Sequence, residues 1–564
     1  MKDYLKKIFE ILTKKNKITF YFLSFLSVIK AVIEILGIGL LIPVLTFLSN
    51  DEKKESILTY VSALKRFDSN EILFIFIIFF LIVYLIKTLY VIFFNWCVAS
   101  YVHNLYAELG DRLLKNYLKN DLIFFLKNNS AKIISHIASE CNGFALGVIG
   151  GGVQMISNFF LFFGICSLLI AYNYYSIFII IILTLVCFAI FKINDQKFQK
   201  WGEIRHIESV KFIQKLNEVI GSIKEIILYD KKNFFTNQSQ HHLKKFSHSA
   251  IYKDIFQSVT SPIIEFIAIT IFFSFLSYLV FFSEKVFSEI VIIFGIFAFA
   301  SIRLLPNLIQ MVRSFQSLKF NYPAIDIIHT DLKNNEKDKN KNIISNIDNI
   351  IFEKVNFTYP ENSVATLNDI SFKINAGDRV GIVGRTGSGK TTLINLISGL
   401  LSPTKGKIKI NKFKEFDPTK TKLNIGYVSQ FVYLSDDNII NNIALSDRIS
   451  IKNKDFITKI LKMLNLIEFT KNNKRLSLGE RGARVSGGQI QRIGIARALY
   501  RNPSLLVLDE ATNALDEKTE NKILAYLFKK FKNKIIIFCT HKKKLLKYCN
   551  KIIEIKDHKI NFIK

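Results

Sequence analysis

Acidic residues are scarce in this 564-residue chain: 46 Asp and Glu face 76 Lys and Arg, a formal net charge of +30. A basic excess attracts phosphate without reading sequence. Here it accompanies a general richness in Lys, Asn, Ile and Phe rather than a concentrated patch, and cytoplasmic loops of membrane proteins carry the same bias. No nucleic-acid partner is therefore expected. Cysteine is sparse as well. Cys97, Cys141, Cys166, Cys187, Cys539 and Cys549 form no CxxC pair, which excludes a disulfide framework or a zinc site. Low hydrophobicity, the mark of disorder, is missing: half the residues are hydrophobic and 52 are Phe. A mean hydropathy of +0.26 points to long apolar runs, not to a simple soluble enzyme.

Those runs fill the first 330 residues. A spanning helix needs about 20 apolar residues for a hydrocarbon core of about 30 Å. Six stretches qualify: 18–48, 72–96, 144–172, 175–192, 259–282 and 286–309. The first is too long for a cleaved signal peptide, and no small-x-small site follows it. Lys2, Lys6, Lys7, Lys14, Lys15 and Lys17 outnumber Asp3 and Glu10 before it, so the N-terminus is expected on the cytoplasmic side. Asp51, Glu52, Glu55, Asp68 and Glu71 make the next loop neutral to acidic, whereas 193–258 is rich in Lys. An even number of spans returns the C-terminal region to the cytoplasm.

Segments 97–143 and 193–258 are too long for turns. Leu105, Leu109, Leu113 and Leu118 recur at helical spacing, so the membrane helices are expected to continue into the cytoplasm. In the outer loop, Ile57, Leu58, Val61 and Leu64, flanked by Lys53, Lys54, Lys65 and Arg66, describe a short amphipathic helix able to lie at a membrane surface. The expected organisation is a six-span α-helical membrane domain over 1–330, a polar linker over 331–348 and a cytoplasmic α/β domain over 349–564.

The second domain carries the chemistry. Gly384-Arg385-Thr386-Gly387-Ser388-Gly389-Lys390-Thr391 satisfies GxxxxGK[ST] at every fixed position, after the apolar Val380–Val383 and before the helix-like Leu393–Ile397. Glycines let backbone N–H groups converge on phosphate oxygens, Lys390 reaches the β/γ-phosphates, and the Thr391 hydroxyl meets Mg²⁺. Leu505–Leu508 reads as a buried strand ending in Asp509-Glu510. Asp509 would hold Mg²⁺ through water, and Glu510 would be the base that orients the attacking water. Val485-Ser486-Gly487-Gly488-Gln489 opens an amphipathic helix.

With that last motif the region resembles the ATP-binding cassette family. The resemblance adds Tyr359, in Phe-Thr-Tyr-Pro, as the aromatic stacking on adenine. It adds Gln430 as the Mg²⁺-sensing glutamine facing the membrane domain, His541 as the γ-phosphate contact, and Thr392 beside the phosphate loop. Ala514-Leu515-Asp516 resembles the loop through which paired cassettes communicate. Val485 stands where Leu is usual, and Asn513 where Ser is commoner. In the family one cassette's signature helix covers the nucleotide held by the other, so the resemblance implies a homodimer with two ATP sites and twelve spans. The domain order resembles the exporter type of half-transporter, an ATPase coupled to transport, in a bacterial inner membrane.

Gly221–Asp230 and Arg303-Leu-Leu-Pro306 resemble, more narrowly, the flippases that carry lipid-linked oligosaccharides in bacterial N-glycosylation. No peptidase domain precedes the first span, which speaks against a leader-cleaving exporter. Independently, Lys30, Glu34, Lys87, Glu265 and Arg303 fall within spans, where a charge must face a cavity or a partner. Lys30 and Glu34, four apart, are expected to pair. Lys87 and Arg303 lack a local partner unless Glu265 meets one across helices, and Arg313 lies near the cytoplasmic end. Surplus cations suit a diphosphate headgroup. Flipping of a lipid-linked oligosaccharide towards the periplasm is the favoured expectation. Export of a peptide, a toxin or another lipid such as lipid A, and an ATP-gated channel, are the alternatives.

Overall fold

A computed structural model describes residues 2–40, 69–172, 176–282, 287–333, 342–411, 415–446, 448–472 and 477–563. The expected amphipathic helix of the outer loop lies outside them. The chain divides into two compact units, 1–120 with 124–336, and 121–123 with 337–564.

The first unit is helical. Helix α1 (Lys2–Ile11) precedes α2 (Lys14–Gly39), α3 (Ser69–Tyr117) and the short α4 (Leu122–Lys127) and α5 (Ser130–Ser135). Two π-helical stretches, His136–Glu140 and Gly143–Gly150, lead into α6 (Gly151–Tyr172). Then come α7 (Ser176–Gly221), α8 (Ile223–Leu228), α9 (Lys232–Phe282), α10 (Phe287–Phe320) and α11 (Tyr322–Lys333). Four stretches among the described residues are long and apolar enough to cross a membrane: Lys14–Gly37, Phe74–Tyr117, Ser130–Ala171 and Lys232–Tyr278. The remaining two expected spans fall in α7 and α10. At 1.5 Å per residue, the 49 residues of α3 reach roughly 70 Å, more than twice a hydrocarbon core. Phe74, Leu81, Leu85 and Leu89 leave more than half of their surface uncovered, as lipid-facing residues do.

Several boundaries differ from the sequence reading. Helix α2 starts at Lys14, because the Thr13 hydroxyl accepts the Asn16 N–H and caps it. α11 runs to Lys333 and the next strand begins at Asn342, so both enter the stretch expected to be linker. Leu105, Leu109 and Leu113 are buried, but Leu118 is 68% exposed. It follows the last residue of α3, where the helical phase no longer applies.

Buried polar groups tie the lower helices together. Glu140, fully buried, accepts from Arg205 at 2.8 Å and lies 3.1 Å from His206 Nδ1. Asp331 gathers the Tyr117 hydroxyl at 2.5 Å and His136 Nδ1 at 2.6 Å. At Gly202 the α7 backbone meets the Phe320 carbonyl so closely that an added Cβ would collide with backbone.

The second unit is α/β. Its strands are β1 (Asn342–Ile344), β2 (Asn349–Phe357), β3 (Leu367–Asn375), β4 (Arg379–Gly384), β5 (Lys405–Ile410), β6 (Thr421–Leu423), β7 (Ile425–Val428), β8 (Leu505–Asp509), β9 (Ile535–Cys539), β10 (Lys551–Lys556) and β11 (Lys559–Phe562). The main sheet runs β11-β10-β4-β9-β8-β7, parallel except for the β10–β11 pair. A three-stranded antiparallel sheet, β3-β2-β5, and a parallel β1–β6 pair accompany it. Both β8 and β9 are buried along their whole length, as parallel strands covered on two faces must be. The principal helices are α12 (Lys390–Ile397), α13 (Ile439–Ala444), α14 (Ile451–Met463), α15 (Ile467–Asn472), α16 (Gly487–Tyr500), α17 (Glu517–Lys530) and α18 (Lys543–Leu546).

Gly202→Ala should destabilise the protein by about 1–3 kcal/mol, the range for overpacking against an unyielding neighbour. Gly221→Ala, whose Cβ would meet nothing within 4 Å, should not. Thermal unfolding of the two variants in detergent checks the difference.

Candidate functional site

In the second unit a cavity of about 940 Å³ opens at the carboxyl ends of β4, β8 and β9, where parallel sheets bind ligands. Tyr359, Thr386, Gly387, Gly389, Lys390, Thr391, Thr392, Gln430, Asp509, Glu510 and His541 line it together. Gly384, Arg385 and Ser388 complete the loop between β4 and α12 without lining it. Positive φ at Gly384, Gly387 and Gly389 (152°, 81° and 104°) bends that loop around a backbone cradle. Lys390 Nζ donates to the carbonyls of Gly384 at 2.8 Å and Arg385 at 2.9 Å. Among the described residues Ser388 Oγ is buried without a hydrogen-bond partner, as suits a loop built for oxygens from outside the chain. Tyr359 stands edge-on to Phe357, and its hydroxyl lies 3.2 Å from Thr392 Oγ1.

The acidic pair splits by environment. Asp509 ends β8 largely buried, and burial pushes its carboxyl above the usual carboxylate range, against hydrogen bonds from Cys539 and Tyr427 that lower it. The Tyr427 hydroxyl donates to it at 3.3 Å. A desolvated carboxylate beside the Thr391 hydroxyl and the Gln430 amide is a hard oxygen set. It matches a small divalent cation that keeps water and substrate phosphate as its other ligands. No cluster of three His, Cys, Asp or Glu able to hold a metal occurs among the described residues, and that coordination needs none.

Glu510 adopts a left-handed backbone, φ 50°, a strained conformation that non-glycine residues keep chiefly at functional sites. The turn lets its Oε2 accept from Gln430 at 3.0 Å and Asn513 at 2.9 Å, with His541 Nε2 3.6 Å from Oε1. A carboxylate so held is placed to orient and deprotonate a water in the cavity.

Ser486, Gly487, Gly488 and Gln489 do not line this cavity. They open α16 as a capping box: Gln489 N–H donates to Ser486 Oγ at 3.3 Å, and Ser486 N–H donates to Gln489 Oε1 at 2.9 Å. Gln491, one turn on, accepts from Ala514 N–H at 2.8 Å and donates to the Glu510 carbonyl at 3.4 Å. Tyr427, Cys539 and Asn513 were not read as site residues. The first two could have been found as ends of strands flanking β8; Asn513 drew notice only as a departure from the motif.

A second cluster sits in the first unit, within the spans. Lys87 Nζ lies 3.8 Å from Glu34 Oε2 and 4.7 Å from the Tyr84 ring centre. Arg303 donates to the Tyr84 hydroxyl at 3.1 Å, which sets both cations against one ring. Lys30 donates to Ser157 at 3.4 Å and lies over Phe94. The expected Lys30–Glu34 pair is thus replaced by a pair across α2 and α3, because Lys30 reaches α6 instead. Glu265 accepts from Ser261 on its own helix and meets neither cation. Arg313 lies three turns beyond Arg303 on α10. Nε of each arginine is buried without a hydrogen-bond partner among the described residues.

Comparison with known proteins bears on both units. The family described as ABC transporter transmembrane region matches residues 20–304, and the family described as ABC transporter matches 367–513. An ATP-dependent lipid A-core flippase of Escherichia coli (strain K12) is 27% identical over 485 residues, 82% of this chain and 80% of that protein. The protein of the same description from Blochmanniella pennsylvanica (strain BPEN) is 26% identical over 480 residues, with the same coverage. Among solved structures, a bacterial Atm1-family ABC exporter with ATP bound aligns with a TM-score of 0.77 at 16% identity, over 97% of this chain and 94% of that one.

Glu510→Gln should leave nucleotide binding within a few-fold of wild type and lower ATP hydrolysis by at least about 100-fold, the scale of a lost general base. Nucleotide titration and phosphate release on the purified full chain measure the two separately. Undiminished turnover would remove Glu510 from its role.

Proposed function

The chain belongs to the ATP-binding cassette transporters, as an exporter-type half-transporter whose ATP hydrolysis is coupled to transport, and on that premise we propose that two copies of it flip a lipid with a phosphorylated saccharide headgroup across a bacterial inner membrane. The specific reading is a lipid-linked oligosaccharide, its polyprenyl diphosphate moving towards the periplasm. The observation that carries the proposal is the charge balance of the intramembrane cluster. Lys87 pairs with Glu34, whereas Lys30 donates to Ser157 and Arg303 to the Tyr84 hydroxyl, neither with a carboxylate partner among the described residues. Among the same residues the buried Nε groups of Arg303 and Arg313 have hydrogen-bonding capacity to spare. An anionic headgroup would supply what the protein withholds, with Arg suited to bidentate contact with phosphate.

The nucleotide site supplies the drive. The phosphate loop holds ATP through its N–H groups, Lys390 and Thr392, with Tyr359 at the base. Thr391, Asp509 and Gln430 would hold Mg²⁺, which neutralises charge on the phosphates when bound. Glu510 orients the attacking water, and His541 faces the γ-phosphate. Ser486, Gly487, Gly488 and Gln489 stand outside the cavity of their own chain and would close the cavity of a second copy, so the working unit is a homodimer. The N-terminus and the cassette face the cytoplasm, following the lysines of residues 1–17.

A second reading, flipping of lipid A or its core-bearing form, draws support from the E. coli and Blochmanniella relatives. Both substrates carry phosphorylated saccharides and would use the same cations.

Reconstitution in proteoliposomes with ATP, scoring headgroup accessibility from each side, separates the two. Lys87→Gln combined with Arg303→Gln should lower substrate-stimulated ATPase and flipping by roughly 10-fold or more, the scale of a lost pair of charge-assisted contacts. Unchanged flipping in that variant would overturn the headgroup assignment.

A further inference from the structure

A second cavity, of about 450 Å³, lies within the first unit, among α1, the start of α2, the second π-helical stretch, α6, the end of α10 and the start of α11. Among the described residues no charged one lines it. Ile8, Phe9, Val148, Met155, Phe159 and Phe315 are representative of its walls. None of Lys30, Glu34, Lys87 or Arg303 takes part, so it is separate from the cationic cluster. A cavity walled almost wholly by hydrocarbon, Tyr4 and Tyr322 apart, offers water few hydrogen-bond partners, and its volume is that of a small-ligand site. Hydrocarbon is the occupant that fits.

The surroundings specify the other end of that occupant. Helix α1 and the start of α2 carry Lys2, Lys6, Lys7, Lys14, Lys15 and Lys17, the last five falling in sequence between the lining residues Tyr4 and Phe20. Asp3 pairs with Lys7 at 2.8 Å, and Glu10 lies 2.6 Å from His329. Lys7 is further held by Asp326 at 2.9 Å, whereas Lys2, Lys6, Lys14 and Lys15 are exposed. Lys319 lies over the rings of Phe315 and Tyr322, two walls of the cavity, at 5.3 and 4.8 Å. An apolar hole beside a surplus of ammonium groups matches one molecular class. We propose that this cavity holds a hydrocarbon chain of an anionic membrane phospholipid, its headgroup among the exposed Lys2, Lys6, Lys14 and Lys15. The lipid is resident, not transported, and the inference does not rest on which substrate the protein flips.

Gly152 provides the test, since it lines the cavity and a Cβ added there meets nothing within 4 Å. Gly152→Phe should fill the space without disturbing packing. The full chain, purified in detergent, is titrated with phosphatidylglycerol and with phosphatidylcholine, and bound lipid is counted by native mass spectrometry. Wild type should hold phosphatidylglycerol about 10-fold more tightly than phosphatidylcholine, as expected for several lysines at an anionic headgroup. Gly152→Phe should weaken both by roughly 10-fold, as expected when chain burial is lost. Lys14→Glu with Lys15→Glu leaves the cavity intact and should erase most of the preference for phosphatidylglycerol, which decides the matter even if Gly152→Phe folds poorly. Equal affinity for the two lipids in wild type overturns the proposal, as does unchanged binding in a folded Gly152→Phe protein. A shift in the monomer–dimer balance of Gly152→Phe with lipid binding unchanged assigns the cavity to a second copy and equally overturns it.

Discussion

Charge held away from water has to be compensated, and each functional feature of this molecule lies where the chain itself leaves that compensation unfinished. At the end of β8, Asp509 is buried with a tyrosine hydroxyl at 3.3 Å, and burial pushes its carboxyl above the usual range despite the hydrogen bonds from Cys539 and Tyr427. In the same cavity Lys390 donates to two loop carbonyls, those of Gly384 and Arg385. The cavity between them therefore holds a cation-seeking group and an anion-seeking cradle, a combination that a nucleoside triphosphate with its metal satisfies at once. In the spans the imbalance has one sign. Lys87 takes the carboxylate of Glu34 while Lys30 and Arg303 have only hydroxyl partners among the described residues, and the energetic penalty of charge in a membrane makes such surplus a mark of function, not decoration.

Where imbalance is absent the same residues serve structure. Glu140 has two basic partners, Arg205 and His206, and Asp331 has a tyrosine and a histidine. Both carboxylates are satisfied by groups of their own chain and bind α3, α7 and α11 to the first π-helical stretch, although Arg205 Nε and His136 Nε2 are left without a partner among the described residues. Removing one partner of such a pair would be strongly destabilising, but no ligand is called for. The contrast separates Glu140 from Glu510. Both are carboxylates with several neighbours, yet only Glu510 sits in a strained backbone facing a cavity.

The legible parts of the sequence were those in which chemistry demands fixed spacing. Gly384 to Thr391 could be read directly, since a phosphate cradle tolerates few alternatives, and the order of the later motifs identified the family. The apolar runs were legible because hydrocarbon demands about 20 apolar residues in succession. Contacts between distant segments were not. Lys30 and Glu34 satisfy the helical pairing rule, but the rule cannot know that Ser157 on α6 and Lys87 on α3 approach the same place. Tyr427 reaches Asp509 only because β7 pairs with β8 in a particular register, and register is a property of the folded sheet. The 143–150 segment reads as an ordinary apolar helix by composition; its π winding leaves no trace in periodicity over so short a run.

Asn513 joins these strands of argument. By family habit it was an unremarkable exchange for serine, yet its amide donates to Glu510 at 2.9 Å while Gln430 donates to the same oxygen. Both neutral donors meet one oxygen, so the other remains for water or His541. Asparagine reaches further than serine and carries an amide in place of a hydroxyl, and here that amide bonds the base itself. The departure from the motif thus reads as a change in how the base is positioned, at a point where Gln491 also links the signature helix to the Glu510 carbonyl. Movement of α16 against a second copy would then be felt at Glu510 through backbone and side chain together, which is what coupling hydrolysis to assembly of the paired sites requires.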